Sequence, residues 1–160
     1  MRKFWAAIVG AVFGAALGVA LGFLAYPYVF APPTATETLS PDDKTRPVGK
    51  GSFVHPDPND PVHWGKGEVS VYENVVFLEP TFEVGPGPAY FVYLADQANI
   101  RTSEGFKAAK TIELGKIKGF KGSQKYAIPA SVDPTQYKSV VVWCRQFEVL
   151  ISPADFAAAS

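Results

Sequence analysis

The sequence predicts an all-β domain, an antiparallel β-sandwich or a barrel-like sheet, preceded by one N-terminal transmembrane helix. Three observations lead there. Phe4 to Ala25 is 22 residues of Ala, Gly, Val, Leu, Ile, Phe and Trp without a charge. Beyond it, short apolar or alternating runs are separated by turns rich in Gly and Pro, which number 14 each. Aromatics are abundant, with 12 Phe, 7 Tyr and 3 Trp, and suit pleated, half-buried strands better than long helices.

A helix over residues 4–25 at about 1.5 Å per residue matches a hydrocarbon core of about 30 Å. Arg2 and Lys3 precede it and no base follows until Lys44. The positive-inside bias therefore predicts a single-pass protein of the cell membrane, with its N-terminus in the cytoplasm and its domain on the periplasmic or extracellular side. Trp5 at one end, with Tyr26 and Tyr28 at the other, suits interfacial anchoring. The alternative is a cleaved signal peptide. The run exceeds the roughly 7–15 apolar residues of that class, and Pro32-Pro33 after the weak small-residue site Val29-Phe30-Ala31 disfavours cleavage. Gly10, Gly14, Gly18 and Gly22 make one small-residue stripe. Such a stripe either lets a second helix approach, giving a homo-oligomer, or only tunes hydrophobicity.

Residues 31–49 are rich in Pro, Thr and charge and predict a flexible linker, with a root-mean-square span of roughly 25 Å. The β domain is expected over residues 50–157. Its strand signals are Gly67 to Tyr72, Val75 to Leu78 running on through Pro80 to Phe82, Ala89 to Leu94, Thr111 to Leu114, Gln124 to Ile128, and Ser139 to Ile151. Gly85-Pro86-Gly87-Pro88, Gly119 to Gly122 and Asp133 to Gln136 are turns. Gln97 to Lys110 reads as a polar connection with one helical turn, and Pro153 to Ala158 as a short terminal helix.

Charge narrows the function. Lys plus Arg and Asp plus Glu are 15 each; beyond Arg2 and Lys3, 13 bases face 15 acids. No basic surface fit for nucleic acid follows. The motifs G-x-S-x-G and H-E-x-x-H and a phosphate loop are absent, so turnover of a substrate has no sequence support. Gly115 to Gly122 lacks G-K-[ST] and reads as a solvated hairpin. Glu79 and Glu83 share one side of a strand and face solvent.

Cys144 is the only cysteine of the chain. No internal disulfide exists for it, which leaves packing, redox chemistry, ligation or an intermolecular bond. In an extended strand Val140, Val142, Cys144 and Gln146 share one face, while Val141, Trp143, Arg145 and Phe147 share the other. Cys144 thus lies near the end of a buried strand, with Arg145 pointing away from it. His55 and His63 bracket a Pro-stiffened turn with Asp57, Asn59 and Asp60, too compact for a recognised calcium loop. One Cys and two His is a blue-copper ligand set, but no His follows Cys144 and the only methionine is Met1. C-x-x-C-H is absent, so a haem here would be b-type, held by one His or by Cys144. No motif identifies a cofactor.

Leu114-Gly115-x-Ile117-Lys118-Gly119, Gly122-Ser123-Gln124-x-Tyr126-x-Ile128-Pro129 and Tyr137-x-Ser139-Val140-Val141-Val142-Trp143-Cys144-x-x-Phe147 together resemble the electron-transfer DM-thirteen domain. His63-x-x-x-Gly67-x-Val69 and Gly87-Pro88 before Tyr90-x-Val92-Tyr93-Leu94 extend the likeness to about Lys50 to Phe156. Ala89 stands where the family pattern usually has Asp. The resemblance implies a β-rich, membrane-anchored redox module of bacterial type. It acts through Cys144, as a free thiol or by holding a prosthetic group such as haem, with His63 as a helper, and it exchanges electrons with a protein partner. Against this stands a non-enzymatic binding or envelope-structural β-sandwich in which Cys144 is core packing. A thiol that is accessible, or within reach of a second side chain, favours the first; a thiol sealed among apolar groups favours the second.

Overall fold

The computed structural model describes residues 2–44 and 46–158. It falls into two units, residues 1–31 and 32–160. The first holds helix α1 (Arg2–Val29). Its segment Arg2–Tyr26 is long and apolar enough to cross a membrane, and a signal sequence near an N-terminus has the same character. Gly10, Gly14, Gly18 and Gly22 have nothing within 4 Å of a would-be Cβ, so the stripe is an open face of this helix. Trp5 and Tyr26 are exposed near its ends, and the side chain of Tyr28 lies outside the described residues.

The second unit is mostly β. In chain order it contains β1 (Ala35–Thr36), β2 (Pro47–Phe53), β3 (Gly65–Tyr72), β4 (Val75–Leu78), β5 (Glu83–Val84), β6 (Tyr90–Ala95), α2 (Ser103–Ala108), β7 (Thr111–Lys116), β8 (Gly122–Ala127), β9 (Ser139–Cys144) and β10 (Val149–Ala158). They form one curved ten-stranded sheet in the order β1-β8-β4-β3-β2-β10-β9-β6-β7, with β5 paired to β3. The pairs are antiparallel except β1 with β8.

Alternation of side chains gives the sheet two apolar faces. Val71, Val76, Leu78, Tyr90, Val92, Val140, Val142, Cys144 and Ile151 fill the main core. Tyr93, Ile100, Phe106, Val141, Trp143 and Leu150 form a smaller cluster on the outer face of β6, β9 and β10. The single helical turn expected in the polar connection is α2, which covers that face with Phe106. Thr102 caps it, its hydroxyl accepting from the Gly105 amide.

Four expectations change. The expected terminal helix at 153–158 is the second half of β10, paired to β9 and then β2. Alanine favours helix, but here two neighbouring strands supply the backbone partners. Gly49 and Gly51 on β2 leave the room, since a Cβ at either would meet the carbonyl of Ala157 or Asp155. The run expected from Val75 through Phe82 stops at Leu78; a turn at Glu79-Pro80 follows, where the Phe82 amide donates to the Glu79 carbonyl. The run expected from Ser139 to Ile151 divides: β9 ends at Cys144, a turn over 145–148 reverses the chain and Val149 opens β10, so Arg145, Gln146 and Phe147 lie on the turn and on neither strand face. The fourth change concerns the linker. β2 begins at Pro47, and residues 35–44 are a strap bonded to β8. The Ala35 amide donates to the Lys121 carbonyl and the Glu37 amide to that of Ser123. Lys118 Nζ (2.6 Å) and the Lys125 amide (2.7 Å) both donate to Glu37 Oε2. Lys125 Nζ meets Asp43 at 2.9 Å.

These carboxylates make the strap sensitive to acid. Burial pulls Glu37 up, but hydrogen bonds from Lys118 and the Lys125 amide, with the lysine charges, hold it below its ordinary 4.5. The Lys125 hydrogen bond, then those from Ser40, hold Asp43 at about 2 instead of 3.8. Both values are depressed by docking, so the stabilisation is complete above pH ~5 and lost as pH falls through the docked values. We expect pepsin to cut beside Leu39 readily at pH 2 and slowly at pH 4, relative to an unstructured reference peptide. Equal relative rates at both would show that the carboxylates do not hold the strap.

Candidate functional site around Cys144

Every residue of β9 is buried, because β9 lies between β10 and β6 with an apolar cluster on each face. As the alternation predicts, Val140, Val142 and Cys144 enter the main core, while Val141 and Trp143 enter the outer cluster. Cys144 is 1% exposed. It pairs with Val149 of β10 and Tyr90 of β6, and side chains so opposed have Cβ atoms about 4.5–5.5 Å apart. The thiol therefore lies between an isopropyl group and a phenol ring.

Tyr90 forms the wall on the loop side. Its hydroxyl donates to the Pro86 carbonyl at 3.4 Å, and Phe120 meets its ring edge-on at 6.2 Å. Gly87 lies flat on that ring: a Cβ there would come within 2.2 Å of it. The Gly85-Pro86-Gly87-Pro88 turn thus closes over Tyr90, and Tyr90 over the thiol. The Arg145 amide donates to the Ala89 carbonyl at 3.0 Å, so the tight β9–β10 turn is tied to the start of β6. Ala89 thus contributes through its backbone. Arg145 itself points away from the thiol, its guanidinium 3.3 Å from Glu113 Oε2 and 4.7 Å from the centre of the Phe91 ring.

The outer face carries an aromatic array. Phe106 stacks on Trp143 at 4.4 Å, and Tyr93 meets Phe106 edge-on at 5.3 Å. The Tyr93 hydroxyl donates to Glu113 Oε2 at 2.6 Å. Burial first, then that carboxylate, push the phenol well above its ordinary value. Lys107 Nζ lies 6.0 Å from the Trp143 ring centre and is paired to Glu148 at 2.6 Å.

His63 has partners of its own. Its Nδ1 is 2.7 Å from Asp60 Oδ2, and His55 Nε2 is 2.8 Å from the Asp60 carbonyl. Asp60 Oδ1 accepts the Val62 and His63 amides at 2.8 and 3.0 Å. The His63 hydrogen bond, followed by these amides, lowers Asp60 to about 2. Asp57 accepts from the Asn59 amide. The turn's carboxylates are thus occupied in holding the turn, and the structure joins the two histidines through Asp60 without Cys144. Among the described residues no group of three or more His, Cys, Asp or Glu side chains is placed to hold a metal ion.

Surface clefts of about 840 and 610 Å³ are present, lined by residues such as Arg46, Ile128 and Pro134 and by Leu114, Lys118 and Tyr126. Cys144 and His63 line neither. A thiol-held haem needs an open face at the sulfur and room for the macrocycle; the packing around Cys144 provides neither, so the residues present do not fit that group.

Two features escaped the sequence reading. Gln124 is buried and clamps the 118–119 turn: its Oε1 accepts from the amides of Lys118 (2.8 Å) and Gly119 (3.3 Å) and from the Tyr126 hydroxyl (2.8 Å), and its Nε2 donates to the Gly119 carbonyl at 2.8 Å. The Gln-x-Tyr spacing, which puts both side chains on one strand face, was the available signal. Glu79 and Glu83, read as solvent-facing, have partners: Ser70 donates to Glu79, and Lys66 and Lys121 flank Glu83.

The chain is thus a β domain with one shielded cysteine, preceded by an apolar helix. The family described as Electron transfer DM13 matches residues 59–156. This chain belongs to that family. No curated protein and no solved structure matches it.

Proposed function

We propose that this chain is a membrane-tethered electron-transfer module whose domain works on the extracytoplasmic side, with Cys144 as its redox-active group. The family match, which spans Cys144 and the whole of β9, is the observation that carries this reading. Arg2 and Lys3 ahead of the apolar helix favour the orientation. A thiol sealed in the core meets no solvent-borne thiol or disulfide while the core is closed. Any electron it exchanges on this reading passes through packed side chains.

The same burial favours a second reading, a binding or envelope-structural module in which Cys144 packs the core as a small hydrophobe. The visible spectrum of the full-length protein, taken from its own membrane before and after dithionite and with metal analysis, is the first test. A redox-sensitive band lost in Cys144→Ser supports the first; a colourless, metal-free protein leaves thiol-based electron transfer or packing. On either reading the folded thiol reacts with an aromatic disulfide only as fast as the core opens. Cys144→Ser, which buries a hydroxyl among apolar groups, costs about 1–3 kcal/mol of stability. Immediate labelling of the native protein would overturn the picture of a closed core.

A further inference from the structure

Tyr93, Phe106 and Trp143 touch in sequence across the outer face of β6 and β9. Each end of this array carries an ion pair: Lys107, paired to Glu148, lies over the Trp143 ring, and Glu113, paired to Arg145, lies beside Tyr93. What distinguishes the ends is that the Tyr93 hydroxyl is in direct hydrogen-bond contact with the Glu113 carboxylate. Removing an electron from a phenol leaves a strongly acidic species, which forms readily only when a base stands ready for the proton. The Glu113 contact therefore biases an electron vacancy toward Tyr93. Trp143 is also the residue next to Cys144, so the array reaches the backbone of the shielded thiol from the opposite face of the same strand.

We propose that Tyr93, Phe106 and Trp143 are a one-electron relay on the outer face of the sheet, with Tyr93 and Glu113 as its proton-coupled terminus, serving a partner with a one-electron metal centre. The proposal rests on the electron-transfer reading of the domain, but it does not require Cys144 to be the redox group. The oxidised metal centre takes one electron from Trp143 and is itself reduced by one. The tryptophan cation then takes an electron from Tyr93 across Phe106. As it does so, the Tyr93 O–H bond breaks and its proton goes to Glu113, leaving neutral Trp143, a neutral phenoxyl radical and a protonated carboxyl. A reduced metal centre returns the electron to Tyr93 and Glu113 returns the proton.

A purely structural Tyr93–Glu113 contact requires only a hydrogen-bond acceptor, whereas the relay requires a base. Glu113→Gln keeps the acceptor and removes the base. The test is laser oxidation of the full-length protein in detergent, with a ruthenium polypyridyl sensitiser and a reversible quencher, the radicals being followed by transient absorption and electron paramagnetic resonance. The expected result is a phenoxyl signal in the wild type that falls severalfold in Glu113→Gln at unchanged thermal stability. In Tyr93→Phe it is replaced by a longer-lived indole radical, which is lost in turn in Trp143→Phe. Wild-type phenoxyl yield in either Glu113→Gln or Tyr93→Phe overturns the relay. Cys144→Ser is measured in parallel. A signal dependent on Tyr93 and Glu113 that survives Cys144→Ser upholds the relay even if the Cys144 reading fails. A redox signal that depends on Cys144 alone keeps that reading and overturns the relay.

Discussion

Replacing Gln124 by Ala should lower the stability of the domain by about 3–4 kcal/mol, because it strands several buried polar groups at about 1–3 kcal/mol each before relaxation. Gln124 is 0% exposed, and its amide serves the Lys118 amide, both backbone groups of Gly119 and the Tyr126 hydroxyl at once. Burial already pushes the Tyr126 phenol well above its ordinary value, and without Gln124 its hydroxyl keeps only the longer bond to the Lys116 carbonyl at 3.4 Å. For a domain of this size the loss corresponds to a fall in Tm of roughly 10–15 °C. Gln124→Glu fails to rescue it, since a carboxylate cannot donate to the Gly119 carbonyl and is costly to bury. The effect extends to Cys144. The clamped turn leads into Phe120, whose carbonyl accepts from the Val84 amide and whose ring meets Tyr90, the residue that walls in the thiol. Gln124→Ala should therefore also speed labelling of Cys144 at temperatures where the variant is still folded. A Tm within about 3 °C of wild type, less than 1 kcal/mol, would show that the turn is held by other means.

What the sequence revealed and what it hid divide along contact distance. The two faces of β9 were legible because they follow from the two-residue period of a strand, whatever its neighbours are; burial of Cys144 at its end follows likewise. Phe4 to Ala25 was legible because length and apolarity suffice. The end of β10 was not: an Ala-rich run after a proline has the local preference of a helix, and only its pairing with β9 and with the glycines of β2 decides otherwise. The strap escaped for the same reason. Residues 31–49 have the composition of a tether, and nothing local shows that Ala35 and Glu37 find their partners on β8. At the site, composition offered one thiol and two imidazoles as a ligand set, while the structure gives the imidazoles to Asp60 and the thiol to Tyr90 and Val149. The clamp of Gln124 and the contact of Tyr93 with Glu113 depend on which strands and turns become neighbours, which no periodicity records.

Gly122→Val should release the strap while leaving the core folded. Gly122 opens β8 at φ +87°, and a Cβ there would lie 2.1 Å from the Ala35 carbonyl oxygen and 2.8 Å from the Thr34 side chain. A β-branched residue meets both objections: it resists the left-handed backbone, and it occupies the space through which β1 passes. The backbone strain alone costs about 1–3 kcal/mol. The steric conflict has a cheaper outlet, because β1 pairs over only two residues, Ala35 with Gly122 and Thr36 with Ser123, and has little of its own to lose. Departure of β1 takes the Glu37 and Asp43 contacts with it and frees the backbone beside Lys44, whose side chain is already exposed, to enter a protease. The amides of Ala35, Glu37 and Lys125 should then exchange at rates close to those of an unstructured chain, while those of β6 and β9 keep their protection. Trypsin should cut after Lys44 long before it cuts the sheet; the bond after Arg46 is shielded by Pro47. The uncovered edge of β8 presents unpaired N–H and C=O groups, so the variant should also self-associate more readily. If the Ala35 and Glu37 amides of Gly122→Val keep wild-type protection, the strap is held by its ion pairs and not by the close approach that Gly122 permits. The acid-triggered cleavage beside Leu39 would then be the stronger of the two effects.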